Sequence, residues 1–328
     1  MRFLTGFLAS ACLMFVTGVC TAAPINVKVS MGSAPIGHPQ LKAGEDLNTW
    51  IQEKTNGRYA ITLMPAGTLG AFDTVYQSTK MGSVPISLET SANLSQFYPE
   101  LAVLDVPYLF RDGKQLDAFL QSDFMKNALQ EMAKKRPGVK LTGANNVSYR
   151  YVASKAPFTT LADVQGKKDR VSNNKLHSAA VRAMGMNPTP TAPAEILSSL
   201  QQGVVDCTDV EIFWPLTGRL YDVCKNYLQM DAMPVINVTC VSEDWLNKLP
   251  AEDRAIWLEG LEYFNDRVNA RLAEGRAATI QALKDKGCQF AELSEADKAE
   301  AAAKGAHAAD ILRPAQKEFL EKVRATLR

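Results

Sequence analysis

The chain has 328 residues, of which 46% are hydrophobic and 22% charged, a globular composition long enough for more than one core. Lys and Arg number 36 against 35 Asp and Glu, so the net charge is +1 and no basic field exists to hold nucleic acid.

Met1-Arg2 is followed by an uncharged, mostly apolar run, Phe3 to Val19, and then by small residues at 20–23. This is the pattern of a secretory signal peptide, expected to span 1–22 with cleavage after Ala22 and export of the mature chain. The run is short for a membrane span, and Val19 is bulky for a lipid attachment at Cys20. The mature chain keeps Cys207, Cys224, Cys240 and Cys288, with no Cys-x-x-Cys. Cys224 and Cys240 can pair in an oxidising compartment or remain buried thiols.

Ile25, Val27, Val29 and Met31 alternate with polar residues, as in a strand. Residues 39–55 read as a helix with Ala43, Leu47, Trp50 and Ile51 on one side, ended by Asn56-Gly57. Tyr59, Ile61 and Leu63 form a second strand. A helix carrying Phe72, Val75, Tyr76 and Thr79 follows, then a strand over 84–89. This β-α-β-α-β order favours a parallel or mixed sheet covered by helices. Asp112 caps one long expected helix over 114–135, and strands are expected at 139–141 and 148–153. A second series follows: strand 168–172, helices 174–185 and 193–202, strand 204–208, helix 212–223, and strands 226–230 and 235–241. From Ala251 to about Lys286 there is no proline, and Ile256, Leu258, Leu261, Phe264, Val268 and Leu272 sustain a helical stripe. Such a helix runs about 50 Å, enough to bridge two lobes. Helices fill 294–327.

The fold class expected is α/β, two-lobed, with hinge strands and a long helix spanning both lobes. Lobe I takes 23–146 plus 236–275, and lobe II takes 147–235 plus 276–328.

The motifs of common chemistries are missing. There is no phosphate loop, Gly-x-Gly-x-x-Gly, His-Glu-x-x-His or Gly-x-Ser-x-Gly, and the three histidines, His38, His177 and His307, are far apart. No cofactor or metal is expected. An exported, near-neutral, two-lobed chain of this kind suggests a solute receptor.

Thr55-Asn56-Gly57-Arg58 followed by Pro65-Ala66-Gly67-Thr68-Leu69-Gly70 resembles the opening motif of the substrate-binding proteins of TRAP transporters, the DctP-like family. Phe97-Tyr98-Pro99-Glu100, Val106-Pro107-Tyr108-Leu109-Phe110, residues 161–171 and residues 195–206 resemble further motifs of that family, in order across nearly the whole mature chain. The resemblance implies two lobes that close on a small organic acid and deliver it to membrane permease subunits driven by an ion gradient. It implies a periplasmic, non-enzymatic, monomeric receptor with no nucleic-acid partner. A sensory partner in place of a permease, or an exported enzyme on the same fold, are the alternatives.

By resemblance, Arg170 is the arginine that grips the ligand carboxylate, for which its paired planar donors are suited. Arg150 matches a second ligand-facing arginine, and Asn173 a polar residue three positions after the first. Asp169 stands where the family usually has an apolar residue. Asp169 can pair with Arg170 or point away from it, and strand alternation favours the latter. Val210 replaces a common asparagine, with Asp209, Glu211, Phe213 and Trp214 around it. An apolar wall here suits a monocarboxylate with a hydrophobic or aromatic body, Glu211 suits an amine or hydroxyl instead, and Trp214 reads equally as core. Glu89, Thr90 and Asn93 follow the third strand, where open α/β sheets bind ligands. His38 precedes the first helix, whose N-terminus favours an anion.

Overall fold

The computed structural model describes residues 23–328; the expected signal segment, 1–22, lies outside the described residues. The N-terminal series is as expected: β1 (Ile25–Met31), α1 (Pro39–Lys54), β2 (Tyr59–Pro65), α2 (Phe72–Lys80) and β3 (Ile86–Thr90). β1 lies between β2 and β3 and pairs in parallel with both. Asn56 and Gly57 turn the chain from α1 into β2 with φ of 50° and 76°, a left-handed pair that glycine and asparagine tolerate best.

α3 (Ser91–Leu94) and a 3-10 turn at Pro99–Asp105 lead to α4 (Gly113–Gln121) and α5 (Asp123–Lys135). The single helix expected over 114–135 is therefore two. Asp112 caps the first, accepting from the Gln115 N–H at 2.8 Å. Ser122 is extended, and its hydroxyl accepts from the Met125 N–H, so a second N-cap interrupts the backbone ladder.

β4 (Val139–Ser154) leads to β5 (Lys168–Val171), α6 (Lys175–Ala183), β6 (Asn187–Pro190), a turn at Pro193–Glu195, α7 (Ile196–Gln201) and β7 (Cys207–Val210). β7 begins three residues later than expected. The helix expected over 212–223 reduces to α8 (Trp214–Thr217) and a 3-10 turn at Leu220–Asp222, separated by Gly218 and by Arg219 at φ 57°. β8 (Asn226–Ser242) and β4 are each one long strand where two short ones were expected. They pair antiparallel, with register shifts near Gly143, Val147 and Arg150 that interrupt the two-residue alternation. After α9 (Glu243–Lys248), α10 (Ala251–Asp285) forms the expected long helix. Trp257 is fully buried there and Leu258 is 41% exposed, so the stripe runs through Trp257. β9 (Gln289–Glu292), α11 (Glu295–Gly305), a turn at Ala306–Ile311 and α12 (Pro314–Thr326) complete the chain.

The nine strands of the described residues join one sheet in the order β2-β1-β3-β8-β4-β7-β5-β6, with β9 on β8. Parallel wings thus flank the two long antiparallel strands, which belong to both halves. Each face of the sheet carries its own core. α1 and α10 cover one with Leu47, Ile51, Trp257, Phe264 and Val268. α4, α5, α6 and α12 cover the other with Leu116, Met125, Leu129, Val181 and Leu320. α12 packs on the turn at Pro99 and on α4 and α5: Gln316 donates to the Pro99 carbonyl at 2.7 Å, and Phe319 stacks on Phe124. Residues 276–328 were expected with the second lobe; their last helix lies against elements of the first.

Candidate functional site

The two arginines singled out in the sequence lie in the second half of the sheet. Arg170, on β5, is 5% exposed. Its Nε donates to the Thr191 carbonyl at 3.1 Å, and Nη2 donates to the same oxygen. Thr191 follows β6, the parallel neighbour of β5, so the fold holds the Nε edge of the guanidinium and leaves Nη1 free. No carboxylate pairs with Arg170 among the described residues. Burial lowers its pKa to about 10, so it remains cationic at neutral pH.

Arg150, on β4, has its Nη1 3.6 Å from Oδ1 of Asp209 on β7. Asp209 is buried, and its Oδ2 meets Nε2 of His177 on α6. His177 Nδ1 in turn meets the Ser172 hydroxyl at 2.8 Å. Burial pushes the Asp209 carboxyl upward, but His177 and Arg150 overcome this and hold it below its ordinary value. Burial lowers the pKa of His177.

Asp169 turns away from Arg170 and lies on the opposite side of β5, as alternation implies. Both its oxygens are buried without a hydrogen-bond partner. It lines a cavity of about 20 Å³, room for one water, with Arg150, Asp209, Met184, Met186 and Met233. Burial, reinforced by Asp209, raises its pKa well above the carboxylate range.

At the first wing, Glu89 is 3% exposed, and burial pushes its pKa up to about 8. Thr90 caps α3, its hydroxyl accepting from the Asn93 N–H at 3.2 Å, so the two residues first serve each other. Asp105 is buried and raised to about 7, mainly by burial and against the pull of Arg150. Ser91, Asp105 and Asn237 each carry a buried oxygen without a partner.

His38 caps α1, its Nδ1 accepting from the Gln40 N–H at 3.2 Å. The helix N-terminus thus receives the imidazole itself. His38 Nε2 lies 3.7 Å from Glu211 Oε1, and the ring stands edge-on to Phe213 at 5.0 Å. Trp214 is half-buried at the edge of the core shared with α10 and packs over Gly218.

Asn173 is exposed. The next residue, Asn174, caps α6 through its side-chain oxygen, and its Nδ2 donates to the Ala92 carbonyl on α3 at 2.9 Å and to Oγ of Ser95, the residue after α3, at 3.1 Å. This link between the two wings, together with His177, Ser172 and Asp105, went unselected in the sequence. The only signal was Asn173-Asn174 before a helix, which reads equally as a cap. The four cysteines among the described residues are free and buried, so the Cys224–Cys240 pairing left open by the sequence is not made. No helix among the described residues is long and apolar enough to cross a membrane.

The candidate site is therefore polar, with Arg170 cationic, Glu89 and Asp105 pushed upward by burial, and Asp209 held below its ordinary value. The model of the family described as bacterial extracellular solute-binding protein, family 7, matches residues 31–312. A Haemophilus influenzae protein described as uncharacterized is 29% identical over 218 residues, which is 65% of this chain and 65% of that relative. The 2,3-diketo-L-gulonate-binding periplasmic protein YiaO of Escherichia coli K12 is 28% identical over 247 residues, 67% of this chain and 74% of that one. Among solved structures, the sugar acid binding protein DctPAm of Advenella mimigardefordensis, in complex with galactonate, superposes with a TM-score of 0.86. It is 21% identical, with 94% of this chain and 99% of that chain covered.

Proposed function

The chain belongs to bacterial extracellular solute-binding protein family 7, and from that premise we propose that it captures a small hydroxylated carboxylic acid between two lobes and hands it to ion-gradient-driven permease subunits in the membrane. The observation that carries this reading is the buried guanidinium of Arg170, which forms no ion pair with a carboxylate among the described residues. A buried charge is costly unless it is paired, so an anion is the missing partner. Thr191 holds the Nε edge, and the Nη1–Nη2 edge can take two carboxylate oxygens in parallel.

The surrounding groups suit the rest of such a ligand. Glu89 and Asp105 keep their protons at or near neutral pH, so they can donate to ligand oxygens without repelling a carboxylate. Arg150, Asn173, Glu211, Trp214, Thr90, Asn93 and His38 line the remainder of the proposed site. A sugar acid fits this mixture of one cation and many hydroxyl partners. The relatives that bind diketogulonate and galactonate support that class.

The two lobes are 23–146 plus 236–275 and 147–235 plus 276–328, with α12 clasping the first. Asn174 would latch them through Ala92 and Ser95 when the ligand is in place. Residues 1–22 would be removed near Ala22 on export to the periplasm. The receptor performs no chemistry on its ligand.

The test is mass spectrometry of mature protein purified without unfolding. The reading expects a stoichiometric small acid that is released on denaturation. A bound cation or uncharged compound would overturn it, as would protein that neither carries an acid nor binds any aldonate or uronate.

A further inference from the structure

Ser172 lies one residue past β5, two after Arg170, and is half-buried. Its hydroxyl is 2.8 Å from Nδ1 of His177, whose Nε2 meets Asp209 Oδ2. The order of protons along this chain is fixed by its far end. Asp209, facing Arg150 from β4 and His177 from α6, is an ionised carboxylate and can only accept. The proton of a neutral imidazole must then sit on Nε2, which leaves Nδ1 bare. The ring is 1% exposed, and burial favours that neutral form. The Ser172 proton is therefore committed to His177, and the oxygen turns its lone pairs outward.

We propose that Ser172 is a specificity-determining contact that accepts a hydrogen bond from a hydroxyl of the bound acid, with His177 and Asp209 as positioning residues that set its polarity. The inference rests on the receptor reading above. A carboxylate has no proton to give and is disfavoured at such an oxygen, whereas Arg170 on the same strand attracts it. The pair therefore orients the ligand, with its carboxylate toward Arg170 and a hydroxyl toward Ser172. Had the His177 proton been on Nδ1, Ser172 would instead be a donor and would tolerate a carbonyl or a second carboxylate.

The probe is whichever of D-galactonate, D-glucuronate and D-galacturonate the wild type binds most tightly, together with its singly deoxygenated analogues. Titration calorimetry on folded Ser172→Ala should show a roughly three- to tenfold loss of affinity, the worth of one hydrogen bond. For one deoxy analogue the wild type should lose a similar factor, and Ser172→Ala should add nothing further. Nitrogen-15 NMR of the wild type should show the His177 proton on Nε2 at neutral pH. Equal affinity of Ser172→Ala and wild type, the absence of coupling to any hydroxyl, or a proton on Nδ1 would each overturn the proposal. Arg170→Ala separates the two readings. If it binds like wild type, the receptor reading fails; if it loses binding while Ser172→Ala does not, only the Ser172 inference fails.

Discussion

Replacing Arg170 by alanine removes a buried guanidinium that pairs with no carboxylate among the described residues. Two consequences can be worked from its surroundings. The first concerns the ligand, whose carboxylate would enter a desolvated site with no cation. Losing one partner of a buried, hydrogen-bonded charge pair costs about 2–5 kcal/mol, a drop in affinity of roughly 30-fold to several-thousand-fold. The second concerns the protein. The Thr191 carbonyl loses the donors at Nε and Nη2, which costs stability about 1–3 kcal/mol if no water replaces them. Removing an unneutralised buried charge offsets part of this in the empty protein. Arg170→Ala should therefore lose far more binding than stability. Arg170→Lys keeps the charge but not the planar fork and should recover only part of the affinity. The assay is titration calorimetry on variants shown to be folded by circular dichroism. Folded Arg170→Ala binding as tightly as wild type would refute the carboxylate clamp.

Three further outcomes are expected. Glu89 and Asp105 hold protons in the folded chain, with pKa values of about 8 and about 7, that ordinary carboxyls would have released. Folding therefore takes up protons, and the stability of the empty protein should fall as pH rises through those values, by at most about 1.4 kcal/mol per pH unit for each group. His177, lowered from 6.5, acts the other way at lower pH. The slope should thus be read in melting scans between about pH 6.5 and about 8, and Glu89→Gln should flatten it; a wild type whose stability rises with pH there contradicts the assignment. The four cysteines are buried and free, so a thiol reagent should react slowly with native mature protein and modify all four after unfolding; rapid labelling of the native protein would show an open core. A β-carbon at Gly143 would stand 2.4 Å from Cγ of Asn265, which accepts from Thr239 and donates to the Leu261 carbonyl. Gly143→Ala should therefore cost about 1–3 kcal/mol in urea unfolding, and an unchanged midpoint would mean that α10 yields freely at this contact.

The N-terminal wing was legible because its strands alternate cleanly and its turns carry Asn56-Gly57 and Gly82. The central strands were not. β4 and β8 face packed layers on both sides and change register at several points, so no single two-residue alternation runs through 139–154 or 226–242. In sequence Ser122 looks interior to a helix because its neighbours keep the apolar stripe, and only its cap bond shows the break. In the proposed site, Arg150 and Arg170 were candidates because short motifs surround them. The chain from Ser172 through His177 to Asp209 could not, since it joins residues up to 37 positions apart, and a lone histidine reads first as packing. Asn173 and Asn174 both precede the same helix, and only tertiary structure separates the cap that also bridges, Asn174, from the residue that does not.

The central claim is that this protein recognises its ligand by a negative charge. The most direct measurement takes the acid eluted from native protein and titrates it, and separately its uncharged primary amide, into the same mature wild-type chain. The account predicts tight binding of the acid and a loss of roughly 30-fold or more for the amide, which keeps the shape but not the charge. Equal affinities for acid and amide would contradict it.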